Sequence, residues 1–187
     1  MTTFAVLGTG PSMDQNTADR LRGTCRAVAV SDAYRLAPWA DALVSHDPAW
    51  WEAHADARRF NGRRFCGRHI PGAELIPPDG LFQRDCNSGL QGMRVAHLLG
   101  ASRILLLGFD MHGTHFFGKH PAPLKDTTPG RFETFMRQFE RWNKCPVINC
   151  TPGSALTCFP ISTLEKALGS SRSSSAAPAS ISGAAEC

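Results

Sequence analysis

Seven short runs rich in apolar residues, separated by helical patterns, constrain the fold of this chain more than any other feature. The run at 104–107 reads ILLL and is apolar at every position, whereas the runs at 64–66 and 74–76 are weaker. Continuous apolar runs of this length indicate strands buried on both faces, as in a parallel sheet covered by helices. The full set of predicted strands is 4–7, 27–30, 42–44, 64–66, 74–76, 104–107 and 147–148.

Two longer helices are predicted between these strands. One starts at Ser88 and ends at Gly100, and its expected inward residues are Leu90, Met93, Val95, Ala96, Leu98 and Leu99. The other covers about 130–143, where spacings of three and four favour core packing over a cofactor contact for Phe132, Phe135, Met136, Phe139 and Trp142. A short helix is predicted at about 161–168. This alternation predicts the α/β class: one Rossmann-like, doubly wound, mostly parallel sheet with helices on both faces.

The composition is that of one folded domain followed by a polar tail. Of the 187 residues, 42% are hydrophobic and 19% are charged, which excludes global disorder. We expect the folded domain to cover 1–168. The Ser/Ala-rich stretch at 169–187 cannot bury enough apolar area to offset its ordering entropy, and we expect a disordered tail there.

We expect neither a membrane span nor a secretion leader. The apolar runs are far shorter than the roughly 18–20 residues that cross a bilayer, and the N-terminus lacks a basic region. We therefore expect a cytoplasmic protein whose seven cysteines remain thiols. The net charge of +4 permits an anionic substrate.

Much of the positive charge lies in one cluster of arginines at 58–68. Two interpretations remain open: a solvated face, or a surface that contacts the phosphates of a substrate or of a nucleic acid. Only Phe60 and Phe65 lie among the basic residues, so a stacking platform for single strands is not supported. The cluster consists of Arg58, Arg59, Arg63, Arg64 and Arg68.

Polar residues follow most of the predicted strands. In an open α/β sheet, ligands bind outside the carboxyl ends of the strands, so we expect these residues to converge along one edge. They are Gly8 to Ser12, Ser31, Asp32, Ser45, His46, Asp47, Gly108, Phe109, Asp110, His112, Asn149, Cys150, Thr151 and Ser154, together with Asn87 before the first long helix.

The first of these turns reads Gly8-Thr9-Gly10-Pro11-Ser12. Backbone N–H groups after a strand and before a helix form a ready anion site. The turn lacks the third glycine of a dinucleotide fingerprint and the lysine of a P-loop. It is equally compatible with a tight turn that only needs glycine, and Asn87-Ser88-Gly89 with a helix cap.

The segment 110–125 is a long Gly- and Pro-containing loop that holds His112, His115 and His120. Loops of this length inside a domain are usually functional, often as lids. A histidine near its ordinary pKa can act as a general base at neutral pH. A metal site formed by Asp110, His112 and His115 is a second interpretation, although the loop lacks the fixed geometry of a helical zinc motif.

These segments together resemble a known family. Gly8 to Ser12 resembles the G-x-G-P-S opening of the bacterial CMP-sialic acid sialyltransferases, glycosyltransferase family 42, and of the related domain of unknown function 115, which includes 6-hydroxymethylpterin diphosphokinase. Residues 87–110 resemble the family block S-G…A-x-x-L-G-x-x-x-I-x-L-x-G-x-D, 115–120 its His-aromatic-x-Gly-His segment, and 149–156 its C-x-N-S-x-L segment. The order is kept over about 4–160, and phage-encoded proteins share the combination, which implies a phage protein in a bacterial host cytoplasm.

The resemblance implies roles for individual residues. His120 corresponds to the family's catalytic base, and His115 belongs to the same segment. A CMP-linked or other nucleotide-linked donor would be bound by Gly8, Thr9, Gly10, Pro11, Ser12, Asp32, Asp47, Asn87, Ser88, Gly89, Gly108, Asp110, Thr151 and Ser154.

Three functions follow as alternatives. The first is a glycosyltransferase-like group transfer from a nucleotide-activated donor to an unidentified acceptor, with no firm cofactor. The second is an ATP- and Mg²⁺-dependent diphosphokinase or phosphotransferase, because Asp32 and Asp47 stand where the family has Asn and could hold Mg²⁺ with Asp110. The third is a non-catalytic nucleotide-binding or phage assembly protein, whose binding edge an oligomer could bury.

Overall fold

A computed structural model describes residues 1–79 and 87–169. Its seven strands form one sheet in the order β5-β4-β3-β2-β1-β6-β7, and every pair of neighbours is parallel. The strands are β1 (Thr3–Leu7), β2 (Arg26–Val30), β3 (Ala42–Val44), β4 (Arg63–Cys66), β5 (Glu74–Leu75), β6 (Arg103–Leu107) and β7 (Val147–Asn149). The chain winds outward from β1 to β5 and then returns to the other side of β1, so the strand order reverses between β1 and β6.

Helices cover both faces of this sheet. On one face pack α3 (Ser88–Leu98) and the end of α4 (Pro129–Phe139); on the other pack α1 (Gln15–Asp19), α2 (Pro48–Ala53) and α5 (Leu164–Gly169). Two short 3₁₀ turns, Ser31–Arg35 and Ala55–Arg59, complete the connections. The predicted α/β class and doubly wound parallel sheet are confirmed.

The central strands are buried on both faces, as their continuous apolar runs predicted. In β1, Phe4 and Val6 pack into one core while Ala5 and Leu7 pack into the other, and all four side chains are fully buried. Alternate residues of a strand point to opposite faces, so a strand without a polar position needs a helix layer on each side. The polar turn at 8–12, which directly follows β1, therefore begins at the carboxyl edge of the sheet.

Two predictions about the helices were wrong in part. Leu98 was expected to point inward but is 50% exposed, because it lies at the end of α3, after the buried stretch at 90–96. The aromatic stripe of α4 is also divided: Phe139 is fully buried in the core, whereas Phe132 and Phe135 are only half-buried. The helix ends at Phe139, so Trp142 packs on the core from the following turn.

The described part of the chain ends one residue into the predicted tail. Gly169, expected to open the tail, is the last residue of α5, and the rest of the predicted disordered tail lies outside the described residues. Across 1–79 and 87–169, no helix has both the length and the apolar character needed to cross a membrane. The cysteines with free thiols in these ranges are Cys25, Cys66, Cys145, Cys150 and Cys158.

Candidate functional site

A cavity of about 760 Å³ opens at the carboxyl ends of β1, β2, β3 and β6. It lies where the strand order reverses, the usual ligand position in open α/β sheets. The predicted residues that line it are Gly8, Thr9, Gly10, Ser31, Ser45, His46, Asp47, Asn87, Ser88, Gly89, Gly108, Phe109, Asp110, His112, His115 and His120. The fold therefore brings most of the candidate residues together around this cavity.

Three amides of the turn at 8–12, which the sequence suggested as free donors, already have partners within the protein. Gly8 donates its N–H to the Leu107 carbonyl at 2.7 Å, and Gly10 donates to the Gly108 carbonyl at 2.9 Å. The N–H of Ser12 donates to Oδ1 of Asp110 at 3.2 Å. Three of the amides expected to hold a phosphate are thus already bonded within the protein.

A buried carboxylate takes the place expected for an anionic ligand beside this turn. Asp110 is 3% exposed, and its Oδ2 accepts the hydroxyl hydrogen bond of Ser12 at 2.9 Å. A Cβ atom on Gly10 would lie 1.8 Å from Oδ2 of Asp110, so only glycine permits this approach. The turn and the β6 end are therefore locked together by the Asp110 side chain.

The segment before α3 serves first as a helix cap. Oδ1 of Asn87 accepts the N–H of Leu90 at 2.9 Å, which satisfies one of the amides that a helix start leaves unpaired. Oγ of Ser88 accepts the N–H of His46 at 3.0 Å and ties the helix to the end of β3. Both residues also face the cavity, so the capping and ligand interpretations hold together.

The acidic residues after β2 and β3 do different work. Asp32 is 1% exposed and does not line the cavity: it accepts from Nε1 of Trp50 at 2.7 Å and lies 3.2 Å from Nε2 of His54. Asp47 caps α2 by accepting the N–H of Ala49 at 2.9 Å, and it lines the cavity. The carboxylate of Asp32 is thus occupied by partners within the protein, and its contact with a nucleotide stays a prediction.

The residues after β7 support the cavity from behind. Oγ1 of Thr151 accepts the N–H of Phe109 at 3.0 Å, and Ser154 donates its hydroxyl to the Phe109 carbonyl at 2.6 Å. Asn149, fully buried, donates to Oγ of Ser154 at 2.9 Å. Thr151 and Ser154 thus fix the backbone after β6 and, like Pro11 and Ser12, do not line the cavity.

A small hairpin in the 110–125 loop carries His115. His115 and Gly118 exchange backbone hydrogen bonds of 3.2 and 2.9 Å, and the N–H of Phe116 donates to the Thr9 carbonyl at 2.9 Å. The ring of Phe117 stacks on His115 with centroids 4.8 Å apart. The hairpin is therefore docked on the first turn rather than projecting into solvent.

Two imidazoles meet inside the cavity. The rings of His115 and His120 have centroids 4.5 Å apart. Burial lowers the pKa of His115 and the nearby charge of His120 lowers it further, although the carboxylates of Asp126 and Asp32 oppose this effect. Nδ1 of His115 lies 2.9 Å from Oγ1 of Thr9, which orients the ring. The pair can accept and pass on a proton.

The predicted metal sets do not assemble. Within 1–79 and 87–169, the group of His, Cys, Asp and Glu ligand atoms that comes together is His115, His120 and Asp126. Asp110 instead binds Ser12, and Nε2 of His112 contacts the Gly153 carbonyl at 3.2 Å. Among the described residues, the ligand atoms of neither alternative set, Asp110 with His112 and His115 or Asp110 with Asp32 and Asp47, form such a group, and both sets stay predictions.

The sequence analysis missed several residues of the cavity wall. Phe132 and Phe135 of α4 line it, although their helical spacing predicted core packing. Trp50, which follows the Asp47-Pro48 start of α2, and Arg131, beside Phe132, were not singled out. The indication available was that α4 directly follows the histidine loop, which brings its first turn back over the sheet edge.

Backbone strain is concentrated at the same edge. Ser31 has φ +46° and Met111 has φ +59°, both in the left-handed region that side chains other than glycine rarely adopt. Both residues line the cavity. Each conformation costs roughly 1–2 kcal/mol, and such strain is typical of functional sites.

The arginine cluster is divided among separate contacts. Arg63 makes a bidentate pair with Glu74 at 2.8 and 2.5 Å, which lowers the pKa of that carboxyl, and Arg64 donates to the Arg58 carbonyl. Arg68 instead lines the cavity. Contact with nucleic acid stays a prediction, because nothing in this arrangement tests it.

No protein-family model matches the chain, and no curated protein sequence matches it. A solved structure that is similar to it is the sialyltransferase CstII from Campylobacter jejuni, in complex with the substrate analogue cytidine-5'-monophosphate. The two share 15% sequence identity and a TM-score of 0.45, over 86% of this chain and 84% of that chain.

Proposed function

We propose that this protein is a group transferase that uses a nucleotide-activated donor, with the His115–His120 pair accepting the proton of the acceptor hydroxyl. One observation carries the proposal: two imidazoles with centroids 4.5 Å apart lie in the cavity where the strand order of the sheet reverses. The family resemblance of the sequence agrees with this assignment, since His120 occupies the position of the base.

The charges of the cavity favour an anionic donor. Arg68, Lys125 and Arg131 line it, and each supplies a cation to balance a phosphate. The amides of Gly8, Gly10 and Ser12 are already bonded, so we assign the phosphates to these side chains rather than to the first turn. The resemblance places Asp110 on the ribose or base side of the donor.

The transfer step is a displacement in which all charges are accounted for. The acceptor oxygen forms a bond to the donor carbon as the bond from that carbon to the phosphate oxygen breaks. The acceptor proton moves to a neutral imidazole of the pair, and the electron pair leaves with the nucleotide phosphate. Positioned proton transfer of this kind contributes about 10²–10⁴ in rate, and fixed cations offset the charge of the leaving group.

The first two aromatic residues of α4, Phe132 and Phe135, give the donor a second contact. Phe132 and Phe135 are half-buried in the cavity wall and offer apolar ring surface to a planar base. The guanidinium of Arg131 lies 5.7 Å from the Phe135 centroid, within the range of a cation–π contact. A ligand with both a ring and a phosphate therefore matches this wall better than a simple anion.

Binding and turnover are measured separately. A thermal-shift panel of CMP, CDP, UDP, GDP and ATP, with and without Mg²⁺, identifies the nucleotide, because a ligand at 100 times its Kd adds about 2.7 kcal/mol to the free energy of unfolding. Donor consumption is then followed with the matching nucleotide sugar. We expect His120→Ala to keep the stabilisation and lose turnover about 10²–10⁴-fold.

The exposed His69 supplies the control, since His69→Ala removes an imidazole outside the cavity wall and should leave both measurements unchanged. Unchanged turnover in His120→Ala overturns the base assignment. Nucleotide binding without any product points to the non-catalytic alternative. Activity that needs Mg²⁺ and consumes ATP points to phosphotransfer.

A further inference from the structure

Three potential metal ligands converge inside the cavity. One ligand atom from each of His115, His120 and Asp126 lies within 4.8 Å of the other two. Around a tetrahedral Zn²⁺ with bonds of about 2.0–2.2 Å, ligand atoms are about 3.3 Å apart. Side-chain movements of less than about 1 Å would therefore bring the three atoms to bonding positions around an ion.

The first ligand is held by a partner outside the group. Oγ1 of Thr9 lies 2.9 Å from Nδ1 of His115, so an Nδ1–H donated to this hydroxyl leaves a lone pair on Nε2. Ligand histidines usually bind an outer partner through the nitrogen that does not touch the metal. The stacked ring of Phe117 and the hairpin fix the same imidazole in orientation.

The second ligand carries an unsatisfied atom. Nδ1 of His120 is buried and has no hydrogen-bond partner among the residues that the structure describes. A buried polar atom left unpaired costs about 1–3 kcal/mol, which makes it an exception that needs an explanation. A bound ion at this group would supply one.

The third ligand is tied to the second through the backbone. Oδ1 of Asp126 accepts the N–H of His120 at 2.8 Å, which leaves the other carboxylate oxygen available. This hydrogen bond links His120 and Asp126 across the residues between them. This contact connects the end of the loop to the histidine pair before any ligand arrives.

We propose that His115, His120 and Asp126 bind one divalent transition metal ion, with Zn²⁺ as the best fit, and leave a fourth position open to the cavity. Two imidazole nitrogens and one carboxylate are a donor set that suits Zn²⁺ rather than Mg²⁺, which prefers oxygen ligands. Three protein ligands with an open position are the pattern of catalytic zinc sites. The inference goes beyond the proposed function: the ion would occupy the imidazole lone pairs that accept the proton in the metal-free protein, so the two proposals are tested on different forms of the chain.

The test is a titration of the full chain, stripped with a chelator, with Zn²⁺ by calorimetry and with Co²⁺ by its visible absorption. We expect one ion per chain. His115→Ala and Asp126→Asn should each weaken binding by more than the 10–100-fold typical of outer partners, while Thr9→Val should fall within that range and Thr9→Ser should restore it. His112→Ala, on the same loop but outside the group, should bind like the original chain.

Absence of binding in the unchanged chain overturns the proposal, as does binding that survives His115→Ala. The thermal midpoint of each variant without metal distinguishes loss of binding from loss of folding. The comparison of Thr9→Ser with Thr9→Val tests the site without changing any of the three ligand residues. Zinc binding, together with no transferase turnover by the metal-free chain, would refute only the proposed function. Turnover without zinc binding would refute only the metal site.

Discussion

Removing the Asp110 carboxylate should destabilise the fold through the loss of two hydrogen bonds. Asp110 is 3% exposed and accepts from the N–H and from the hydroxyl of Ser12 at 3.2 and 2.9 Å. Hydrogen bonds to a charged group contribute about 1.5–3 kcal/mol each. Because one of the two is long, we take the lower end for both and expect Asp110→Ala to cost about 3 kcal/mol.

Equilibrium unfolding in urea measures this loss. With a slope of about 2 kcal/mol per molar urea, the midpoint of Asp110→Ala should fall by about 1.5 M. Asp110→Asn should cost about 1 kcal/mol or less, since its amide can accept from the Ser12 N–H and donate to the Ser12 hydroxyl. The slope itself should not change, because neither substitution alters the surface exposed on unfolding.

Glu52 provides the control for these two variants. It is an exposed acidic residue of α2, and Glu52→Ala should stay within about 0.5 kcal/mol of the original chain. An Asp110→Ala protein as stable as Glu52→Ala would refute the reasoning, because the Ser12 contacts would then contribute nothing. So would an Asn variant as unstable as the Ala variant, because charge rather than hydrogen-bond geometry would then hold the turn.

Two further substitutions test the packing and the acid stability of the fold. Gly92→Ala should lower the free energy of unfolding by about 1–3 kcal/mol, since its Cβ would lie 2.7 Å from Cγ2 of Val30. Gly130→Ala is the control: it has open space around it and should not destabilise the fold. Chemical denaturation measures both variants. The hydrogen bond from Tyr34, 2.5 Å long, lowers the pKa of Asp56, so its contribution is present above the ordinary carboxyl pKa and is lost as the pH falls through the lower folded value. Tyr34→Phe should therefore be less stable than the original chain at pH 7, by about 1 kcal/mol or less at this exposed site, with the difference closing under strong acid in thermal melts.

The sheet was predictable because its central strands are continuous apolar runs, and such runs indicate burial on both faces. An uninterrupted run such as 104–107 can only be satisfied by a helix layer on each face, and the order of elements then fixes a parallel sheet. The short helices were not predictable in this way. In α1 and α2 the helical segments are five and six residues long, too short for a periodic pattern, and their starting caps, Asp14 and Asp47, resemble any other acidic residue in a loop.

The carboxylates show where a sequence pattern stops being informative. Asp32 follows a strand just as Asp110 does, so both were expected at the binding edge. Whether such a side chain faces a ligand or the protein depends on partners far away in sequence: Trp50 and His54 turn Asp32 inward. The same holds for Asp126, which joins the histidine pair only through the path of the loop, and which no local motif marks.

The first turn joins these points into one constraint on the ligand. A glycine-rich turn after β1 indicates a phosphate site only if its amides are unpaired, and here the partners of Gly8, Gly10 and Ser12 are 98 to 99 residues away. Asp110 completes the set with a negative charge of its own, so a phosphate at this turn would meet both bonded donors and a carboxylate. Like charges at close range oppose binding. We therefore expect the phosphates of the proposed donor toward Arg68, Lys125 and Arg131, with its hydroxyl-rich part beside Asp110.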